Sequence, residues 1–174
     1  LEMMREEPMF IRMKITGLTI DPITSTPIVI LKDMEEKKAI PIWIGLFEAS
    51  AIATQLEKIT FSRPMTHDLI KDILKTMEVE VVRVEIHDLR NNTFFANIHL
   101  RGGGKEFVVD ARPSDAIAVA IRTDSPIFVA ELVIQKSRHV DIGANIEDME
   151  KLKEEKLKEF LENLSPEAFG KYKM

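Results

Sequence analysis

Apolar and polar residues alternate along several segments of this chain, which is the pattern of half-buried β-strands. The early segments with strand character are residues 9–20, which alternate, and residues 27–34 and 38–45, which are more continuously apolar. The charged residues 35–37 separate the second segment from the third and predict a hairpin turn. Similar segments farther along predict strands over residues 79–88, 94–101, 105–111 and 127–135.

Apolar residues spaced three and four apart predict helices between these strands. In residues 66–78 the apolar positions recur at helical spacing throughout. Residues 46–58 are rich in alanine, which permits close packing, and residues 114–122 are apolar nearly all round, which predicts a buried helix. The order of the elements predicts an α/β (α+β) fold, a compact mixed β-sheet domain with interspersed helices.

The composition changes near Asn145, where apolar residues form one stripe among alternating lysines and glutamates. This pattern predicts a C-terminal amphipathic helix. We therefore divide the chain into a domain over residues 9–136 and a helical appendage over residues 144–174. The appendage is expected to dock on its own domain, and the alternative is that it docks on a partner chain. The apolar stripe and the outer face of the 79–101 hairpin also lead us to expect a homo-oligomer, most simply a dimer.

The predicted hairpin around residues 90–92 places two titratable side chains together. Its inward-facing apolar residues restrict the register to even pairing sums, and either allowed register brings Glu85 close to His99 on the polar face. Such a pair fits a solvated sheet face or a subunit contact better than a metal site.

The composition excludes several classes of site. The chain has 174 residues, 45% of them hydrophobic, and no cysteine, so a disulfide, a thiolate zinc site and a cysteine nucleophile are excluded. There is no run of 18 apolar residues and no signal-peptide pattern, so we expect a cytoplasmic protein without a membrane span. Abundant Lys and Glu beside only seven Asn and Gln residues favour a thermophilic source.

The charge balance bears on nucleic-acid binding. The formal net charge is −5 at pH 7, and residues 144–174, with six Lys against eight acidic residues, account for −2 of it. The remainder of the chain is therefore at −3, and neither part offers the basic field of sequence-independent nucleic-acid binding. A nucleic acid would have to be held locally or through a metal ion.

One short phrase occurs twice in the chain. Arg63-Pro64-Met65-Thr66-His67-Asp68 and Arg112-Pro113-Ser114-Asp115 each join Arg-Pro to a hydroxyl residue and a carboxylate, and each opens an apolar helix. Proline favours the first turn of a helix, and we expect Thr66 and Ser114 to cap the two helices with their side chains.

The two helix starts are candidate anion sites. Helix N-termini attract anions, and an arginine adds a planar fork suited to phosphate. If the two starts converge, four side chains would bind a phosphate-bearing substrate: Arg63, Thr66, Arg112 and Ser114. The alternative is that both phrases are ordinary helix starts.

Three carboxylates also lie in predicted first turns, and they are Glu48, Asp68 and Asp115. Together they would form an oxygen-rich set suited to Mg²⁺ or Mn²⁺. The helix dipole alone also explains acidic residues at these positions, and Arg63 and Arg112 could simply pair with them.

His67 differs from these acids, because the positive end of a helix disfavours a charged imidazole and would keep it neutral. A neutral imidazole can act as a base or a metal ligand, so we place His67 in the catalytic set with Glu48, Asp68 and Asp115.

Four stretches of the chain resemble the bifunctional nuclease domain family. They are PIVILKD (27–33), IPIWIGLFEASAIA (40–53), RPMTHDLIKDIL (63–74) and DARPSDAIAVAIR (110–122), within a region from roughly Lys14 to Ile134. The resemblance implies a compact α/β domain, and plant relatives are described as cleaving both DNA and RNA. It also implies a shared set of positions, which are Glu48, Arg63, Thr66, His67, Asp68, Asp110, Arg112, Ser114 and Asp115.

Two functions follow as hypotheses. The first is a nuclease that hydrolyses phosphodiester bonds of DNA or RNA with Mg²⁺ or Mn²⁺, in which His67 activates water and the arginines neutralise the phosphate. The second is a non-catalytic module that binds an anionic ligand or another chain, in which the same polar residues are structural. The first requires Glu48, His67 and the two aspartates to line one open cleft.

Overall fold

The computed structural model describes residues 7–137, so the predicted appendage over 144–174 lies outside the described part of the chain. Within residues 7–137 the chain forms one seven-stranded mixed sheet and four helices. None of these helices is long and apolar enough to span a membrane. The division into two domains and the cytoplasmic location stay predictions.

The seven strands are β1 (Phe10–Ile20), β2 (Pro27–Asp33), β3 (Ala39–Trp43), β4 (Glu80–Arg90), β5 (Thr93–Gly102), β6 (Lys105–Ala111) and β7 (Ile127–Ala130). The helices are α1 (Leu46–Leu56), α2 (Thr66–Thr76), α3 (Pro113–Thr123) and α4 (Glu131–Ser137). The order across the sheet is β3-β2-β1-β7-β4-β5-β6, in which β7 and β4 run parallel and the other neighbours run antiparallel.

The strand register places one apolar face of the sheet under the helices. Val29 lies opposite Ile42, and Val84 lies opposite both Ile127 and Ile98, all facing the same way. Helix α3 covers β4 and β5, and α1 and α2 pack against α3. As its nearly all-apolar sequence predicts, α3 is buried along most of its length, and it is the central helix of this layer.

The predicted fold class is confirmed, and most elements end within two residues of their predicted bounds. The predicted strand over 127–135 is wrong in its second half, because β7 ends at Ala130 and α4 follows at once. Val133, Ile134 and Ser137 are the buried residues of α4, and this is helical spacing. A short apolar run such as Ile127–Ile134 does not by itself distinguish a strand from a helix.

The β4–β5 hairpin confirms the predicted neighbours. Asn91 and Asn92 form its turn with φ of 49° and 59°, a left-handed conformation that asparagine tolerates well. The pairs from Arg83–His99 to Ile86–Ala96 have the expected even sums. His99 Nε2 lies 2.9 Å from Glu85 Oε2, and Arg83 Nε donates to Glu85 Oε1 at 2.6 Å.

Candidate functional site

The N-termini of three helices meet above the sheet, so the two helix starts of the repeated phrase do converge. Arg112, at the start of α3, donates through Nη1 to Glu48 of α1 at 2.7 Å and through Nε to Asp115 at 2.8 Å. His67 of α2 lies with Nε2 2.9 Å from the other oxygen of Asp115. We call this connected set, Glu48–Arg112–Asp115–His67, the polar chain.

The helix starts differ in detail from the prediction. The N-cap residues are Met65 and Arg112, so Thr66 and Ser114 lie within the helices and neither caps through its side chain. In α2 the carboxylate performs this task, because Asp68 Oδ2 accepts the Met65 backbone N–H at 3.0 Å. The prediction of hydroxyl caps was therefore wrong for both helices.

The three predicted carboxylates share one position in their helices. Counted from the N-caps Gly45, Met65 and Arg112, the residues Glu48, Asp68 and Asp115 are each the third helical residue. A negative charge there is stabilised by the helix dipole. The Glu48 carboxylate also folds back over Gly45, where a Cβ atom would collide with it.

Arginines balance these carboxylates electrostatically. Burial would raise the pKa of the Asp115 carboxyl, but hydrogen bonds from His67 and Arg112 outweigh it and hold that pKa below its ordinary value. Hydrogen bonds to Asp115 and Glu48 raise the pKa of the Arg112 guanidinium further. Asp115 and Arg112 are therefore both charged at neutral pH.

Arg122, near the end of α3, is the site residue that the sequence analysis missed. Its side chain is 3% exposed and donates to Asp68 Oδ1 at 2.7 Å, to the Ala51 carbonyl at 2.8 Å and to the Ala118 carbonyl at 3.0 Å. One guanidinium thus joins α1, α2 and α3. The available signal was a basic residue in a helix that is apolar between its first and last turns, which is typical of a buried ion pair.

Burial of the Asp68 carboxyl would raise its pKa, but the hydrogen bond from Arg122, the Met65 backbone N–H and the charges of Arg122 and Lys71 lower it overall. Asp68 is therefore charged and committed to Arg122. It lies behind the polar chain rather than in it.

A cavity of about 950 Å³ opens beside the polar chain, between α1, α2, α3 and strands β5 and β6. Five predicted site residues line it, and they are Glu48, Thr66, His67, Arg112 and Asp115, together with Asp110. Most of its other lining is apolar. We call this part the apolar wall, and its main members are Phe61, Ile70, Leu74, Ile98, Leu100 and Val109.

Three predicted site residues do not line the cavity. Asp68 is paired with Arg122, Ser114 is buried in the first turn of α3, and Arg63 is exposed ahead of α2. The structure thus brings together most of the set but divides it into a cavity rim and a support behind the rim. The catalytic and binding roles of all these residues stay predictions.

The carboxylates do not form a metal site as they are arranged. Among residues 7–137 no group of three or more His, Asp or Glu side chains is placed to hold a metal ion. The reason is geometric: Glu48 and Asp115 both turn toward the guanidinium of Arg112 instead of toward a common empty point. Binding of Mg²⁺ or Mn²⁺ would require Arg112 to leave them, and it stays a prediction.

Comparisons with known proteins identify relatives. The family model of the bifunctional nuclease domain matches residues 29–141, which include the whole polar chain. An uncharacterized protein of Mycobacterium tuberculosis is 34% identical over 160 residues, 90% of this chain and 96% of that protein. Bifunctional nuclease 2 of Arabidopsis thaliana is 30% identical over 93 residues, 52% of this chain and 28% of its own. Bifunctional nuclease 1 of the same plant is 30% identical over 108 residues, 59% of this chain and 33% of its own.

Replacing Arg122 is expected to destabilise the protein strongly. Arg122→Met leaves Asp68 without its partner and the Ala51 carbonyl without its donor, and breaking a buried pair in this way lowers the free energy of unfolding by about 3–5 kcal/mol. Denaturant unfolding measures the change. Arg63→Met, at an exposed position, is the matched control and should leave the stability unchanged. Equal, small effects of the two substitutions would contradict the supporting role of Arg122.

The polar chain also predicts a pH dependence. Because the pKa of Asp115 is lowered in the folded state, its stabilising contribution is complete above the unfolded-state pKa of about 4 and is lost as the pH falls through the folded value. Asp115→Asn should therefore be less stable than the parent protein at pH 7 and should approach it as the pH falls through the folded-state pKa of Asp115. Urea unfolding across this range tests the prediction, with exposed Asp72→Asn as the control. A difference between Asp115→Asn and the parent protein that is constant with pH would contradict it.

Proposed function

The chain belongs to the bifunctional nuclease domain family, and from this premise we propose that it is a nuclease that hydrolyses phosphodiester bonds of DNA or RNA at the rim of the cavity. The observation that carries the proposal is the polar chain at the mouth of an open cavity. It combines a histidine oriented by a carboxylate with an exposed arginine, and these are the parts that a phosphoryl-transfer site needs.

His67 is the proposed general base. Its side chain is 11% exposed, and Nε2 lies against the charged carboxylate of Asp115, which favours the proton on that nitrogen. Nδ1 has no protein hydrogen-bond partner within residues 7–137 and can accept a proton from an attacking water. The imidazolium that forms is stabilised by Asp115 and can return the proton to the leaving alkoxide, which balances the hydrolysis.

Arg112 is the proposed phosphate ligand. Its side chain is 66% exposed, and its contacts with Glu48 and Asp115 use only two of the five N–H donors of a guanidinium. The remaining donors can bind phosphate oxygens and offset the charge that develops in the transition state. Glu48 and Asp115 act in this arrangement as positioning residues for Arg112.

The predicted Mg²⁺ or Mn²⁺ does not enter this scheme. A divalent ion bound by Glu48 and Asp115 would compete with Arg112 for the same oxygens, so we assign the phosphate to Arg112 and route no step through a metal. The prediction of metal assistance is tested by adding either ion to chelator-treated protein.

One observation favours the second hypothesis, a non-catalytic module for an anionic ligand. Every carboxylate of the set is already paired with an arginine, so the polar residues could serve structure alone. This alternative requires that no turnover occurs, that Arg112→Ala lowers the melting temperature markedly, and that an anionic ligand raises it. A homo-oligomer also stays a prediction.

Substitution of His67 tests the proposed activity. His67→Ala should reduce cleavage of single-stranded DNA and RNA by about 10²- to 10⁴-fold, because the general base is lost. His67→Gln keeps a donor for Asp115 and should be equally inactive while retaining the melting temperature. The assay is release of labelled fragments by purified protein, with and without chelator.

His87→Ala is the matched control, because His87 lies on β4 and outside the cavity lining. It should retain full activity. Cleavage that survives both His67 substitutions would come from a contaminating enzyme and would refute the proposal.

A further inference from the structure

The cavity beside the polar chain has a lining that nuclease chemistry does not require. Phosphate binding and proton transfer need only its rim, yet most of its surface is the apolar wall. At about 950 Å³ the cavity is at the upper end of the range for small-molecule sites, so it can hold more than a phosphate group. An apolar lining of this kind fits a flat, largely apolar part of a substrate.

An exposed aromatic ring stands at the mouth of this cavity. Phe47, the second residue of α1, is 82% exposed and lines the cavity beside Glu48 of the polar chain. Phe61 also lines it. Phe47 and Arg112 line the same cavity, and an exposed aromatic ring together with an arginine that has spare donors is the combination that stacks a nucleobase while the neighbouring phosphate is bound.

The charge of the site limits how a nucleic acid can be held. Arg112 and Arg122 are the arginines of the lining, no lysine is among the lining residues of the described chain, and Arg122 is buried and committed to Asp68. The acidic residues of the lining are Glu48, Asp110 and Asp115. Since phosphate contacts cannot supply most of the affinity, the bases must supply it, and in a duplex the bases are stacked and paired.

From these observations, and resting on the proposed function, we propose that the substrate is single-stranded nucleic acid, and that the cavity takes one unstacked base on Phe47 and the apolar wall while Arg112 holds the adjacent phosphate. The apolar wall then selects against duplex, because a paired base cannot reach it without leaving its partner. The same contacts place the phosphate beside His67.

Binding of labelled DNA to the His67→Ala variant tests this proposal without cleavage. Fluorescence anisotropy compares a short single strand of mixed sequence, the same strand annealed to its complement, and an abasic strand with the same phosphates. We expect the single strand to bind more tightly than either of the others. The slope of the logarithm of the binding constant against the logarithm of the salt concentration should be about −0.7, the value for one phosphate contact with a single strand.

Substitutions of Phe47 locate the contact. Adding Phe47→Ala should weaken binding of the single strand by about 5- to 150-fold, the equivalent of one stacked base, and leave the abasic strand unchanged. Phe47→Tyr keeps the ring and should preserve binding. Ile23→Ala is the matched control, because Ile23 is 85% exposed and outside the cavity lining.

The outcomes separate this inference from the proposed function. Equal affinity for the abasic and the base-bearing strand, or no effect of Phe47→Ala, would overturn base recognition even where His67-dependent cleavage is found. Base-dependent binding in a protein that cleaves neither DNA nor RNA would support the cavity's role and refute the nuclease assignment instead.

Discussion

The candidate site depends on one buried arginine. Arg122 extends from the last turn of α3 and is held by Asp68 at the start of α2 and by the Ala51 carbonyl within α1. A guanidinium out of water is tolerated only where its donors are satisfied, so the three helices must adopt the spacing that satisfies it. That spacing brings the three helix starts to one place and leaves the cavity open between them.

Two arginines, one at each end of α3, differ in burial and therefore in what they can bind. Arg122 and Arg112 carry the same group and each binds carboxylates at the third position of a helix. Arg122 is enclosed, and its contacts with three helices leave it no room for a ligand. Arg112 is exposed and keeps unused donors, so the same pairing that supports the fold at one end of α3 leaves, at the other end, the guanidinium that we propose as the phosphate ligand.

Much of this could be predicted from the sequence, because the signals are local. Alternation and helical spacing located β1 to β6 and α1 to α3, and the repeated Arg-Pro phrase located two of the three helix starts. The second half of the 127–135 segment was assigned wrongly because a short apolar run has no clear period. The caps were wrongly assigned to hydroxyl residues because the helices begin slightly earlier than predicted, with Met65 and Arg112 as the N-cap residues.

The sequence could not show which side chains pair when they lie far apart along the chain. Nothing local distinguishes Arg112, which reaches 64 residues back to Glu48, from Arg63, which forms no ion pair within residues 7–137. The hydrophobic periodicity of the sequence also does not show that Phe47 lies beside a cavity and not in a packed core. Such facts depend on how α1, α2 and α3 stand over β5 and β6.

The acidic net charge of the chain is compatible with membership in a nuclease family if contacts with a base, and not attraction to phosphates, supply most of the affinity for nucleic acid. Around the three helix starts, on the rim and behind it, three carboxylates, two arginines and the positive ends of the helices leave the charge near balance. A rim of this kind cannot attract a duplex through its phosphates over a distance, but it can orient one phosphate whose base is already held. Selectivity would then lie in the cavity, where an exposed ring and the apolar wall admit a base only after it has left its stack. A nuclease built in this way needs no basic surface.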